Sequence, residues 1–220
     1  MKPARRSILL GVAAILFGSL ASAEPAADAG FASPETLDRW LGQIARARAS
    51  LKTLSGPFTQ TRKIGLLAAK VVSKGTVTLV RPDRLRWELL PPDNVTYWVT
   101  PEGLAYKSPE GQGRVQGASA KVALALDDVR ILLGGDLALL RGRYDLQASG
   151  ADDGPVTFVA TPKDSASALQ RLVFTLGPDR VRPLSATIVE GPRDQTDIAF
   201  GALVKDAPID PSRMALPSSR

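Results

Sequence analysis

The stretch TLVRPDRLRWELLPP, Thr78 to Pro92, decides how the chain folds. Leu79 shares a side with Val77, while Thr76 and Thr78 take the other. After a turn at Arg81–Arg84, Leu85, Trp87 and Leu89 alternate with Arg86 and Glu88. An apolar period of two on both sides of a proline-containing turn predicts an antiparallel hairpin with one face buried. Three arginines crowd this hairpin, and parity separates them. Arg86 shares the outer face with Glu88, where a solvated pair contributes little. Arg84 belongs to the turn. Arg81 has the parity of Val77 and Leu79, which directs it toward the apolar side.

The same period continues outward. GPFTQTRKI places Phe58, Gln60, Arg62 and Ile64 on one parity, and NVTYWVT and LAYKS flank a Pro101–Gly103 turn. YDLQAS, PVTFVATP, LQRLVFTLG, PLSATIVEG and QTDIAFGAL read as five more strands, separated by breaks rich in Gly, Asp and Pro. Two segments have a different period. In SPETLDRWLGQIARARASLKTL, Leu37, Trp40, Leu41, Ile44, Ala47 and Leu51 make one helical stripe, with Ser33 as cap and Pro34 in the first turn. Arg48 falls within that stripe by angle, so its stem packs there while its head reaches water. AKVALALDDVRILLGG is apolar over much of its circumference, through Val122, Leu124, Leu126, Val129, Leu132 and Leu133. A helix of this kind requires apolar cover on several sides. DLALLRGR adds a short helix capped by Asp136, and the proline-rich end DAPIDPSRMALPSSR cannot continue a strand far. The order is a helix, four or five strands, a helical insert and five strands. It predicts an α+β fold: one large, strongly curved antiparallel sheet with helices on its concave face.

Composition narrows the function classes. The chain has 220 residues, with no cysteine and no histidine. Disulfides, thiolate metal sites, a Cys nucleophile and a lipobox are excluded, as are a Ser-His-Asp triad and His-ligated metals. Asp127–Asp128 and Asp152–Asp153 are adjacent pairs that read as a helix face and a turn. The glycines of PEGQGRVQG lack the Gly-Lys-Ser/Thr and the strand–loop–helix setting of a phosphate loop. Enzymatic activity is not expected, and neither is a cofactor.

MKPARRSILLGVAAILFGSLASA has a basic n-region at Lys2, Arg5 and Arg6, a short apolar core and an Ala21-Ser22-Ala23 cleavage site. It reads as a signal peptide over residues 1–23 for the general secretory route, with export to the periplasm. One domain over 24–220 remains, its excess positive charge reduced from +6 to +3 once the three n-region cations are removed. So mild a balance argues against a nucleic-acid partner.

Phe58, Gln60, Gly75, Arg81, Pro82, Leu85, Trp87, Pro91, Gly103, Tyr106 and Pro109 fall in three runs, PFTQTR, SKGTVTLVRPDRLRWELLPP and YWVTPEGLAYKSP. These runs resemble the periplasmic outer-membrane lipoprotein carriers, the LolA family. The chain departs from that pattern at Asp83, at Thr100–Gly103 in place of an Asp-Gly turn, and at Met214 in place of a terminal Phe. The resemblance implies an incompletely closed antiparallel barrel, with helices as a lid over an apolar cavity. It also implies a monomeric carrier that takes acylated lipoproteins from an inner-membrane ABC exporter to an outer-membrane acceptor. Two alternatives stand beside this reading: a carrier for another lipid, such as a glycolipid or polyene lipid, and a lipid-sensing regulatory module.

A carrier must offset the cost of taking an acyl chain into water, on the order of 12 kcal/mol for ~16 carbons at ~0.8 kcal/mol per methylene. It must also release its load, so the cavity has to be nearly neutral against the membrane. Phe58, Leu79, Leu85, Trp87 and Trp98 are the candidate lipid-binding residues. Arg81 is the candidate latch, expected to donate to lid backbone carbonyls in the closed, empty state.

Overall fold

The computed structural model describes residues 30–65, 69–114, 120–165, 167 and 169–217, with backbone alone at 120–126. The expected signal peptide at 1–23 lies outside the described residues, as do the side chains of Val122, Leu124 and Leu126.

Helix α1 (Pro34–Arg48) starts where its cap was expected: the Thr36 N–H donates to Ser33 Oγ at 3.3 Å. It is followed by β1 (Thr53–Ile64), β2 (Ala69–Val80), β3 (Arg84–Leu89), β4 (Val95–Thr100), β5 (Gly103–Ser108) and β6 (Gly111–Arg114). Helix α2 (Ala120–Gly134) and a 3-10 turn (Leu137–Gly142) interrupt the strands. The Ala138 N–H donates to Asp136 Oδ1 at 2.9 Å, so Asp136 is the cap of that turn. Strands β7 (Tyr144–Gly150), β8 (Val156–Pro162), β9 (Arg171–Leu176), β10 (Pro183–Val189), β11 (Gln195–Phe200) and β12 (Val204–Lys205) complete the order. A second 3-10 turn, Pro211–Met214, lies near the C-terminus.

The strands form a single 12-stranded antiparallel sheet in the order β6-β5-β4-β3-β2-β1-β11-β10-β9-β8-β7, with β12 added beside β1. The path ends at β6 and β7, which do not pair, so the sheet is an incomplete barrel covered by helices, as its order in sequence predicts. One part of the β7 edge is occupied by the approach to α1, where the Ala32 N–H donates to Ala148 O at 2.8 Å.

Register fixes which side chains face inward. Leu54, Leu79 and Leu85 align across three strands, as do Gly56, Val77 and Trp87, and then Phe58, Gly75 and Leu89. On the other half, Ala148, Phe158, Phe174, Ala186 and Ile198 continue the same face. Apart from the two glycines, and with Leu89 only partly buried against them, these residues join Leu37, Trp40, Leu41 and Ile44 of α1, and Val129, Ile131, Leu132 and Leu133 of α2, in one buried cluster.

The two ends of the sheet differ. The turns β2–β3, β7–β8 and β9–β10 lie at one end, and α1 is bonded to all three. Trp40 Nε1 donates to Asp152 Oδ1 at 2.7 Å, Arg48 Nη2 donates to Val181 O at 3.0 Å, and Arg81 donates to the Arg48 carbonyl. The β1–β2, β3–β4 and β10–β11 turns lie at the opposite end.

Candidate functional site

The floor of the concave face is built from the first half of the sheet. Phe58 and Trp87 come from strands separated by β2, and their rings lie 3.9 Å apart at 30°. Phe200 meets Trp87 edge-on at 6.3 Å. Gly75 makes this possible. A Cβ there would lie 2.2 Å from the Phe58 ring and 2.5 Å from the Glu88 carbonyl, so the ring occupies the space a side chain would need. Leu79 and Leu85 lie beside these rings, almost wholly buried. Opposite, Phe158 stacks on Phe174 at 4.9 Å. The structure therefore brings together four of the five sequence-predicted lining residues: Phe58, Leu79, Leu85 and Trp87.

Trp98 is the exception. It pairs with Arg86, not with Trp87 or Leu85, so it faces the convex side. There Trp98 Nε1 donates to Arg213 O at 3.0 Å, and Met214 is buried nearby. The Arg86 guanidinium stands 5.7 Å from the Trp98 ring centroid and grips both carboxylate oxygens of Glu88, at 2.5 and 2.9 Å. Arg86 and Glu88 are thus more than a solvated surface pair. With Trp98 they anchor the C-terminal segment across the back of the sheet, beside a groove of 510 Å³ lined by Val80, Ile209 and Met214. Arg84 opens β3 and reaches Glu102 Oε1 at 3.2 Å.

Polar contacts fasten the covering helices. Arg48 is only 1% exposed, so its head does not reach water as its sequence position suggested. It donates to Ile131 O at 3.3 Å, Leu132 O at 2.7 Å, Gly135 O at 3.1 Å and Val181 O at 3.0 Å. The first three are carbonyls at the C-terminal end of α2. Ile131 O also accepts from the Gly135 N–H at 2.9 Å, whereas Leu132 and Gly135 are among the carbonyls a helix end leaves without a helical partner, and the helix dipole makes this end electronegative. Burial, and then the nearby Arg81 charge, push the Arg48 pKa down to about 9, so the group is still a cation at neutral pH. Arg81 is half-buried and donates to the Arg48 carbonyl at the end of α1. It thus reaches a helix carbonyl, but that of α1; the α2 carbonyls are taken by Arg48.

The acidic pair of α2 forms a second fastening that the sequence did not reveal. Asp128 is buried, accepts from the Tyr144 hydroxyl at 2.5 Å and pairs with Arg143. Asp127 lies 3.5 Å from Arg143 and 2.7 Å from Arg130, and Arg130 donates to Pro82 O at 3.1 Å. The β2–β3 turn and the start of β7, at the two ends of this chain of contacts, are thereby tied to one helix.

Burial raises the Asp128 pKa, against the hydrogen bond from Tyr144 and the charge of Arg143. A carboxyl raised on folding contributes stability that is fully present below its unfolded pKa, near 3.9, and lost as pH rises through the folded value. Ionised Asp128 therefore holds α2 less well than a neutral acceptor of the same shape. Asp128→Asn is expected to change stability at pH 7 by less than about 1 kcal/mol, whereas Asp128→Leu, which strands the Tyr144 hydroxyl and leaves the one-third exposed Arg143 with Asp127 alone, costs about 2–3 kcal/mol. Thermal melts of both variants at pH 7 check this; equal losses would show that the charge, not the acceptor, holds the helix.

An unclosed antiparallel sheet wrapped around helices, with apolar side chains from both filling the concavity, defines the class of LolA-like half-barrels, a fold suited to binding a lipid or a lipid-bearing protein. The chain belongs to the LolA family: residues 49–215 match the family described as outer membrane lipoprotein carrier protein LolA. Among curated proteins none matches the sequence. Three solved structures are similar to this chain, and the first two share its fold. MucB, also matched in its Pseudomonas aeruginosa complex with MucA, is 15% identical, with a TM-score of 0.51 over 84% of this chain and 64% of MucB. A DUF1329 family protein from Desulfovibrio piger is 13% identical, with a TM-score of 0.50 over 81% of this chain and 96% of its own. A LolA superfamily protein from Nitrosomonas europaea is 10% identical, with a TM-score of 0.44 over 81% of this chain and 96% of its own. For MucB and the DUF1329 protein the likeness is one of fold alone. Among the described residues no helix is long and apolar enough to cross a membrane.

Proposed function

We propose that the protein is a periplasmic carrier. It takes the acyl chains of lipoproteins beneath α2, onto the floor made by Phe58, Leu79, Leu85 and Trp87, and moves them from an inner-membrane exporter to an outer-membrane acceptor. The observation that supports this is the way the concavity is covered. Apolar helix side chains fill it, yet the helix that covers it is tied down by hydrogen bonds and ion pairs at its C-terminal half. An incoming acyl chain replaces one apolar surface by another and has only the polar ties to break. That is the near-balance a shuttle requires. Arg81 and Arg48 act in series as the latch, with Arg81 holding the end of α1 and Arg48 holding the end of α2.

Native mass spectrometry of the protein purified from the periplasm tests the reading. A co-purifying lipoprotein is the expected result. A free glycolipid or polyene lipid would redirect it to another lipid cargo. Protein that never carries lipid, even when offered acylated peptide in detergent, would remove the carrier reading.

A further inference from the structure

We propose that the overhanging part of β2, Ala69–Lys74, with the basic end of β1 beside it, is a docking surface for an anionic phospholipid bilayer. The inference goes beyond the carrier reading and does not depend on which lipid is carried.

The hairpin extends past one of its neighbours. β1 and β2 pair from Thr53 opposite Val80 to Ile64 opposite Ala69, but β3 covers β2 only from Gly75 to Val80. The coverage stops where the Leu90 N–H donates to Lys74 O at 2.8 Å. Ala69–Lys74 therefore run free of β3 for about 20 Å at ~3.4 Å per residue. On this overhang Val71 is 45% and Val72 is 55% exposed. Successive strand residues face opposite sides, so an apolar side chain is presented on each face. Core packing cannot account for both.

The charges are of one sign. Every charged side chain of β1 and β2 is basic: Arg62, Lys63, Lys70 and Lys74, all exposed. No Asp or Glu occurs from Arg39 through Pro82. Two carboxylates approach from the neighbouring β10–β11 turn and β11. Asp194 Oδ1 accepts from the Gly65 N–H at 2.9 Å, and Asp197 pairs with Lys63 at 3.3 Å. Arg62, Lys70 and Lys74 pair with no described carboxylate. Two exposed valines amid unpaired cations match a surface that has phosphates at its rim and hydrocarbon beneath. The overhang lies at the end of the sheet away from α1, so docking there turns the end not plugged by that helix toward the bilayer.

Lysines on an uncovered strand also discourage edge-to-edge pairing between copies. That role predicts no dependence on lipid, and the two are separated by flotation of the protein with protein-free vesicles. Binding is expected to vesicles of phosphatidylglycerol and phosphatidylethanolamine, weakening with salt, and not to phosphatidylcholine vesicles. Lys70→Ala and Lys74→Ala should each weaken it roughly fivefold. Val71→Asp with Val72→Asp should weaken it at least about tenfold, with the melting temperature preserved because both positions face solvent. Val72→Trp supplies an emission that shifts to the blue on vesicle addition. No binding, equal binding to neutral vesicles, binding indifferent to these substitutions, or capture only by a membrane protein each overturns the proposal.

Discussion

Arg48→Met is expected to lower folding stability by about 3 kcal/mol and to speed amide exchange in the last turn of α2. The substitution keeps most of the buried stem and removes every donor. The carbonyls of Ile131, Leu132, Gly135 and Val181 then lose a cation that no other described side chain replaces. The loss is less than four separate hydrogen bonds would suggest, because desolvating the guanidinium is itself costly, as its lowered pKa shows. Arg81→Leu removes a single half-buried bond to Arg48 O and should cost only about 1 kcal/mol. The comparison locates the latch. Cargo that enters beneath α2 competes with the closed, empty state, so weakening that state by about 3 kcal/mol tightens apparent lipid binding about a hundredfold. Slower handover of lipid follows in both variants, more so in Arg48→Met. Chemical denaturation, hydrogen exchange and the off-rate of a fluorescent fatty acid measure the three effects. If Arg48→Met is no less stable than Arg81→Leu and leaves α2 exchange unchanged, Arg48 is not the fastening.

Strand parity made the concave floor legible because a period of two leaves no freedom once one residue is assigned. Leu85 and Trp87 were placed by alternation with Arg86 and Glu88, and Leu79 by alternation with Thr76 and Thr78. NVTYWVT gave no such contrast. Val95, Tyr97 and Val99 are apolar or aromatic on one parity, and Trp98 is aromatic on the other. Only pairing with β3 decides the face, and that places Trp98 opposite Arg86. Arg48 failed for a different reason. Its helical angle correctly placed it in the buried stripe, but its acceptors come from 83 to 133 residues further along the chain. A local pattern shows that a cation points inward and says nothing of what meets it. Asp127–Asp128 read as an ordinary helix face because the partners Arg143 and Tyr144 lie beyond the helix and a 3-10 turn. In each case the missing information was tertiary, and the residues concerned are those that hold the helices to the sheet.

A disulfide between α2 and the floor should abolish lipid uptake, and reduction should restore it. Gly134 is the position for one half. An added Cβ there would lie 2.2 Å from Leu79 Cδ2 and 3.7 Å from Leu79 Cγ, the atom whose place a cysteine sulfur takes. The two side chains are therefore in direct contact, and a small approach of the last turn of α2 brings the sulfurs to the ~2.04 Å of a disulfide. The chain contains no cysteine, so Gly134→Cys with Leu79→Cys forms one bridge with no competing pairings. The dithiol form is its own control for the lost leucine, since the two states differ by a single bond. If cargo reaches Phe58 and Trp87 by lifting α2, the oxidised protein should bind a fluorescent fatty acid at least about a hundredfold more weakly than the reduced one, a penalty of ~2.7 kcal/mol or more. Uptake that is the same in both states would mean that lipid enters without displacing the end of α2, by way of the open end of the sheet or the gap between β6 and β7. The Arg48 and Arg81 ties would then be structural alone, and the carrier reading would have to find its balance of loading and release somewhere other than this helix.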